Sequence, residues 1–242
     1  MTHGHSTGGA AARSFAIAGG VVFVFSLSFT AWSYAWRFGA ASTGSTSVIV
    51  PAAFNTILFT AFALHHSVFA RTSVRQWIAD RVPVGLERSV YVWVASLMLL
   101  GVVVVWRPVP GELWHLSAPW SAMLSAVQIG GVLVTLRASA ALDVFSLSGV
   151  RQAFGAAAAP PPSQLVDTGL YRLVRHPVYF GWVLMVWPTP AMTGTRFVFA
   201  TISTLYLALA IPLEERSLRG QFGPAYAAYA SKVKWKMVPG IY

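Results

Sequence analysis

Apolar residues gather along this chain into long runs broken by short polar connections, and the lengths of the runs decide what they are. A helix crosses a hydrocarbon core of about 30 Å with roughly 17 to 25 residues. Six stretches are candidates: Ser14–Trp36, Val48–Ala70, Val90–Trp106, Trp120–Leu142, Val178–Met192 and Phe197–Leu213. The fifth is short and carries Pro188 and Pro190 near its end, so it is expected to span as a tight hairpin with the sixth, turning through Thr193–Arg196. The pattern predicts an all-α fold, a polytopic transmembrane helical bundle of about six spans forming one integral membrane domain over residues 1–242. A cleaved secretory signal is the competing reading of the first run. Ser14–Trp36 is longer than an apolar signal core and no small-residue cleavage site follows it cleanly, so it is read as a retained span.

Two longer connections interrupt the spans. In Ala70–Ser89, Val74, Trp77, Ile78 and Val82 recur at helical spacing with Arg75, Asp80 and Arg81 between them, the pattern of an amphipathic helix lying at the membrane interface. The second connection, Asp143–Leu170, contains the proline-rich stretch Gly155–Ser163, where no helix can continue and an extended or flexible flap is expected. After the sixth run, Glu214 onward is read as a soluble tail. Tyr226 and Tyr229 share one face of a short helix there, and Lys232, Lys234, Trp235 and Lys236 follow as an anchor at the lipid interface.

Composition agrees with a membrane protein: 56% of the 242 residues are hydrophobic and 10% charged, where soluble domains carry about 25%. The net charge of +10 raises the question of nucleic acid. The 17 Lys and Arg are distributed by side, however. Arg13, the second-to-third connection, the fourth-to-fifth connection and the tail hold all but Arg37, Arg107 and Arg196. This is the positive-inside pattern, and it puts both termini in the cytoplasm. Attraction to anionic lipid headgroups accounts for the basicity, and no nucleic-acid partner is needed. The absence of cysteine excludes disulfides, Cys-ligated zinc and a Cys nucleophile.

Three clusters carry ionisable groups against apolar runs. In Gly169–Trp182, "GLYRLVRHPVYFGW", Pro177 suits a first helical turn, and a helix N-terminus flanked by Arg172 and Arg175 makes an anion site. Arginines also flank helix ends for topology alone. In "PLEERSL", Glu214 and Glu215 stand at the C-terminal end of a span, where the helix dipole disfavours carboxylates. They require either Arg216 or Arg219 as partners or a cationic ligand, such as an amine or a sulfonium. In "ALHHSVFAR", His65 and His66 lie near the end of the second span, where ionisable side chains face a protein interior or a wet cavity. Either one of them serves chemistry or the pair is interfacial and structural. No metal site is expected, and a haem lacks a suitably placed pair of axial ligands.

Taken together, "GLYRLVRHPVYFGW", the helical hairpin after it and "EERSLRGQFGPAYAAYASKVKWKMVP" resemble the membrane-embedded methyltransferases that include isoprenylcysteine carboxyl methyltransferase and phospholipid methyltransferase. The resemblance implies that residues 165–242 enclose S-adenosyl-L-methionine. Arg175, His176, Pro177, Tyr179 and Gly181 would shape its pocket, Glu214 and Glu215 would lie near it, and Tyr226 and Tyr229 would sit on a cytoplasmic helix covering it. Farther upstream, "FALHHSVFAR", "ERSVYVWVASLMLL", "WRPVPGELW" and "WPTPAMT" are similar to the bacterial methanethiol S-methyltransferase branch and its NnrU-like neighbours. That similarity implies a small thiol, methanethiol, as methyl acceptor and dimethyl sulfide as product, with residues 14–142 on the substrate side and the bacterial inner membrane as location.

A neutral thiol must lose its proton before it attacks, because the thiolate is the nucleophile. His65 or His66 is the expected base, and Tyr91, Tyr171 or Arg172 the group that orients the thiolate. A carboxylate acceptor needs no base. The competing readings are methylation of an isoprenylcysteine carboxylate or a lipid, an NADPH-dependent reductase of the sterol type, suggested by "YAAYASKVKWKMVPGIY", and a non-enzymatic NnrU-like membrane protein. No obligatory protein partner is expected.

Overall fold

The computed structural model describes residues 9–42, 47–69, 72–83, 85–142, 150–154 and 165–242. In chain order these form α1 (Ala10–Trp32, continued as a π-helical turn Ser33–Arg37), α2 (Ile49–Phe69), α3 (Thr72–Ala79), α4 (Glu87–Val105), β1 (Glu112–His115), α5 (Trp120–Ala140), the single turn α6 (Val150–Ala153), α7 (Pro177–Val186), β2 (Ala191–Thr193), α8 (Gly194–Phe222) and α9 (Pro224–Lys232). Five helices among the described residues are long and apolar enough to cross a membrane: Ala10–Arg37, Ile49–Phe69, Glu87–Val105, Trp120–Ala140 and Gly194–Phe222. Their outward side chains, such as Ile49, Ile57 and Leu209, are exposed apolar groups suited to lipid. The proline-rich flap Gly155–Ser163 lies outside the described residues, as does the junction at 70–71.

The chain divides into two compact units, each discontinuous in sequence: Met1–Ser33 with Thr60–Trp106 and Asp143–Ser163, and Tyr34–Phe59 with Arg107–Leu142 and Gln164–Tyr242. In the first unit, α1 packs on α4. Gly19 makes the approach possible, since a Cβ there would fall 2.8 Å from the Trp93 ring nitrogen. That nitrogen donates to the Phe15 carbonyl at 3.0 Å. Ala16, Ser26, Thr30, Ser89 and Ser96 are buried, the small side chains by which membrane helices come close without a hydrophobic driving force. The expected amphipathic helix is present as α3, with Ile78 buried and Trp77 exposed.

In the second unit, α5 and α7 run antiparallel with their backbones in contact: a Cβ on Gly131 would lie 2.7 Å from the Gly181 carbonyl oxygen. Gln128 Nε2 donates to the Met185 carbonyl at 2.7 Å. The ten residues of α7 cover only about 15 Å at 1.5 Å per residue. The expected fifth run is therefore a short helix followed by irregular backbone and β2. β2 pairs antiparallel with β1 in the register Glu112↔Thr193, Trp114↔Met192 and His115↔Ala191. This corrects the purely helical expectation by one short two-stranded ladder. Prolines 188 and 190 end the helix, and the ladder gives the freed backbone groups new partners.

The last helix is also longer than the apolar pattern indicates. α8 has 29 residues and continues through Glu214 and Glu215 to Phe222, ending at Gly223 with φ 53° before Pro224 opens α9. The "EERSL" segment thus continues the helix of the sixth run instead of beginning a separate element. Its residues have good helix propensity, and an ion pair from Arg219 to Glu215 at 3.6 Å, one turn apart, supports continuation. Around Phe199 on α8 the rings of Tyr34, Phe38, Phe59 and Trp182 lie 5.5 to 6.1 Å away and form an aromatic core of this unit.

Candidate active site

The site grows from the start of α7. His176 caps that helix with a non-helical φ of −123° and ψ of 69°, and Pro177 occupies its first turn. The imidazole is 6% exposed and stands between two carboxylates of α8. Its Nδ1 lies 3.4 Å from Glu214 Oε2 and its Nε2 lies 3.6 Å from Glu215 Oε1. The second contact is too long for a hydrogen bond, and Nε2 is buried without a hydrogen-bond partner. Tyr179 lies nearly parallel to the imidazole, ring centres 5.4 Å apart, and donates its hydroxyl to Glu214 Oε2 at 2.8 Å.

Arg175 completes the cluster. Its Nε donates to Glu215 Oε1 at 2.6 Å, with both side chains more than nine-tenths buried. A charge-assisted bond of this kind compensates a carboxylate that burial alone would penalise. The two glutamates, well inside α8, face the N-terminal end of α7, where partial positive charge favours them. They differ in access: the side chain of Glu214 is 45% exposed, that of Glu215 6%.

Three tyrosines close one side. Tyr226 is buried beside Glu215, and burial followed by that carboxylate's charge pushes its phenol up to about 12. Tyr229 donates to the Tyr171 carbonyl at 2.7 Å and is likewise shifted upward, chiefly by burial. Tyr171 donates to the Ala138 carbonyl at 3.4 Å and is pushed up to about 12 by burial and by Glu214. These phenols stay protonated donors throughout the physiological range.

The structure therefore brings Arg175, His176, Tyr179, Glu214, Glu215 and Tyr226 together, with Tyr171 and Tyr229 beside them. Pro177 starts α7, and Gly181 sits against α5, where it allows close helix contact. Arg172 is exposed. His65, His66 and Tyr91 belong to the other unit. There the Tyr91 hydroxyl and His66 Nδ1 are 2.9 Å apart, while both ring nitrogens of His65 are buried without a hydrogen-bond partner and its ring packs on Phe69 at 4.1 Å. Among the described residues, no group of three or more His, Asp or Glu is placed to hold a metal.

Sequence reasoning missed two participants. The carbonyls of Val233 and Lys234 accept from Arg175 Nη1 at 2.7 and 3.1 Å, and backbone acceptors leave no trace in a residue pattern. Arg219 on Glu215 was legible as one of two candidate partners, and the spacing of four distinguishes it from Arg216.

A family model for phospholipid methyltransferase matches residues 122–225, which include most of the cluster. The chain is 38% identical over 190 residues to methanethiol S-methyltransferase 2 of Bradyrhizobium diazoefficiens, covering 78% of this chain and 73% of that one. The chain belongs to the methanethiol S-methyltransferase family. A Mycobacterium tuberculosis relative of that name is 35% identical over 74% of this chain and 75% of its own. Nurim of Sus scrofa is 30% identical over 72% of this chain and 70% of its own. No solved structure matches. Membership of this methyltransferase family, with five apolar helices of spanning length, makes the chain an integral membrane protein and a methyltransferase.

Proposed function

We propose that this protein transfers a methyl group from S-adenosyl-L-methionine to a small thiol, with methanethiol as acceptor and dimethyl sulfide as product. The observation that carries the reading is the pair of adjacent carboxylates held against His176 at the head of α7. The donor set fits the group: two carboxylates for a cationic ligand, an imidazole nitrogen with an open hydrogen-bonding position, and buried phenols. Relatives named for methanethiol support the acceptor.

When bound, S-adenosyl-L-methionine supplies a methyl group on a positively charged sulfur. Glu214, the more exposed carboxylate, is the group available to positive charge, and the Tyr179 hydroxyl holds it in place. Glu215, fixed by Arg175, contributes a second, stationary negative charge. Tyr226 and Tyr229 exclude water from this side, which strengthens every electrostatic contact within. The opposed charges of a sulfonium and a thiolate cancel as the methyl moves, so a dry site lowers the barrier and alignment supplies much of the rest.

Proton removal from the thiol is assigned to the histidine pair. His65→Ala or His66→Ala is expected to leave cofactor binding unchanged and slow turnover by about 10²-fold or more. Wild-type turnover in both variants would remove the pair from the mechanism. Tyr91, Tyr171 and Arg172 are the candidates for orienting the thiolate.

Both termini are assigned to the cytoplasmic face of a bacterial inner membrane, with the lipids as partners, on the strength of the basic-residue bias. Because the chain has no cysteine, single Ser231→Cys and Ser117→Cys variants report sidedness directly. Labelling by an impermeant maleimide in intact cells is expected only for Ser117→Cys.

The deciding experiment is headspace gas chromatography over purified protein supplied with S-adenosyl-L-methionine and methanethiol. Dimethyl sulfide formed in proportion to enzyme is the expected result. Cofactor binding without this product would overturn the acceptor assignment and direct the search to prenylated thiols and lipid amines.

A further inference from the structure

Arg175 does more than neutralise Glu215. Its own N–H donates to the Trp235 carbonyl at 3.0 Å, the next N–H, that of His176, donates to the Lys236 carbonyl at 2.8 Å, and its Nη1 reaches the Val233 and Lys234 carbonyls. Four consecutive residues after α9 are thus tied to one arginine and its neighbour. The rest of the segment folds back on itself. The N–H groups of Lys236, Met237 and Val238 all point at the Tyr242 carbonyl oxygen, at 2.9, 2.8 and 3.0 Å, Met237 is buried, and the Tyr242 hydroxyl reaches the Ala208 carbonyl on α8 at 3.4 Å. Residues 233–242 form a strap.

We propose that Arg175 is a positioning residue that couples this strap to Glu215, so that occupation of the carboxylate site and closure of the strap are one event. Glu215 itself has Arg175, His176 and Arg219 as ionic partners and bonds to no residue of the strap. The connection runs through the guanidinium. Its donors are fixed in one plane, so a displacement of Glu215 re-aims Nη1 away from the two strap carbonyls. A lysine would keep the charge and lose the fork. The inference deepens the methyl-donor reading by adding regulated access to that site, and it rests on that reading only for the identity of the ligand.

The test is limited proteolysis of the full-length protein in detergent with trypsin, for which Lys232 and Lys234 are exposed. Fragments ending at these residues are followed by mass spectrometry, with calorimetric titration of S-adenosylhomocysteine as the ligand probe. Glu215→Gln is expected to speed strap cleavage about tenfold, the weight of one charge-assisted hydrogen bond, although it alters no atom bonded to the strap. Arg175→Lys should do the same, and the double variant should be no faster than either, since both break one linkage. Arg175→Lys should also raise KM for S-adenosyl-L-methionine by a larger factor than it lowers kcat.

Strap cleavage at the wild-type rate in Glu215→Gln overturns the proposal, as does acceleration matched at sites throughout the chain. S-adenosylhomocysteine should protect the strap of the wild type and not that of Arg175→Lys. Binding without protection also overturns the coupling. Absence of binding in the wild type would instead sink the methyl-donor reading, and the ligand-free comparison would still decide the role of Arg175.

Discussion

Two buried arginines serve the two ends of the α7–α8 pair, and their surroundings are opposite. Arg196, in the first turn of α8 and 7% exposed, donates to the carbonyls of Tyr34 at 3.0 Å, Ala191 at 2.6 Å and Ala35, and to the Thr189 hydroxyl at 2.9 Å. Arg175 at the other end meets a carboxylate. The carbonyl partners of Arg196 belong to the π-helical end of α1, whose partial negative charge answers the cation, and to the first residue of β2. Buried irregular backbone must find hydrogen bonds within the protein, and Arg196 supplies them. It closes a break in two helices. Arg175, by contrast, holds the buried carboxylate of Glu215 beside the more exposed Glu214.

The largest effect should come from breaking the first of these. Arg196→Met leaves several buried carbonyls unpaired, each costing about 1–3 kcal/mol. The expected outcome is a loss of more than about 3 kcal/mol, seen in thermal unfolding in detergent as a large drop in midpoint or as failure to accumulate folded protein. Stability close to wild type would mean that Arg196 is not the plug for these carbonyls. Gly39 offers a smaller version of the same test, because a Cβ there would meet the Arg196 guanidinium.

At the other end the loss should fall on binding. Glu214→Ala and His176→Ala are expected to weaken S-adenosyl-L-methionine binding by about tenfold to a hundredfold, the range for one charged contact. Calorimetric titration reads this directly. Wild-type affinity in both variants would refute the assignment of this cluster to the cofactor, whatever their stability.

The same contrast explains what a reader of the sequence could see. The four upstream spans and the "RHPVYFG" and "EERSL" segments are visible because apolar periodicity and unusual charge placement are local properties. The chemistry of Glu214 and Glu215 was open between an arginine partner and a cationic ligand. The fold answers the first half: Arg175 and Arg219 partner Glu215, while the side chain of Glu214 is the more exposed of the two. Arg196 was counted among the residues of the outer face by its position in the chain alone. Nothing in "TGTR" tells that Tyr34, some 160 residues upstream, brings its carbonyl to the guanidinium. The length of α8 was missed for a related reason. Hydropathy falls at Glu214, while helix propensity does not, and only the ion pairs made in the fold let the helix carry its charges onward.

The smallest expected effect concerns the phenols around the cluster, and its sign follows from their shifts. Tyr171 and Tyr226 ionise near 12 in the folded protein against 10.0 for a free side chain. Burial disfavours the phenolate in both, and Glu214 and Glu215 respectively oppose a second negative charge. Below pH about 10 both states keep the proton, so these groups leave stability flat there. Above it the unfolded chain releases protons that the folded chain retains, and stability falls until the folded phenols ionise near pH 12. Unfolding by denaturant at a series of pH values from neutral to strongly alkaline should show a plateau followed by this decline. Tyr226→Phe, which removes one of the titrating groups, should make the decline shallower while leaving the plateau's shape unchanged. Tyrosinate absorbance followed in parallel separates the two possible causes. Phenols that ionise in the folded protein already near pH 10 would show that the site is open to water, and the dry environment argued for methyl transfer would lose its support on this side.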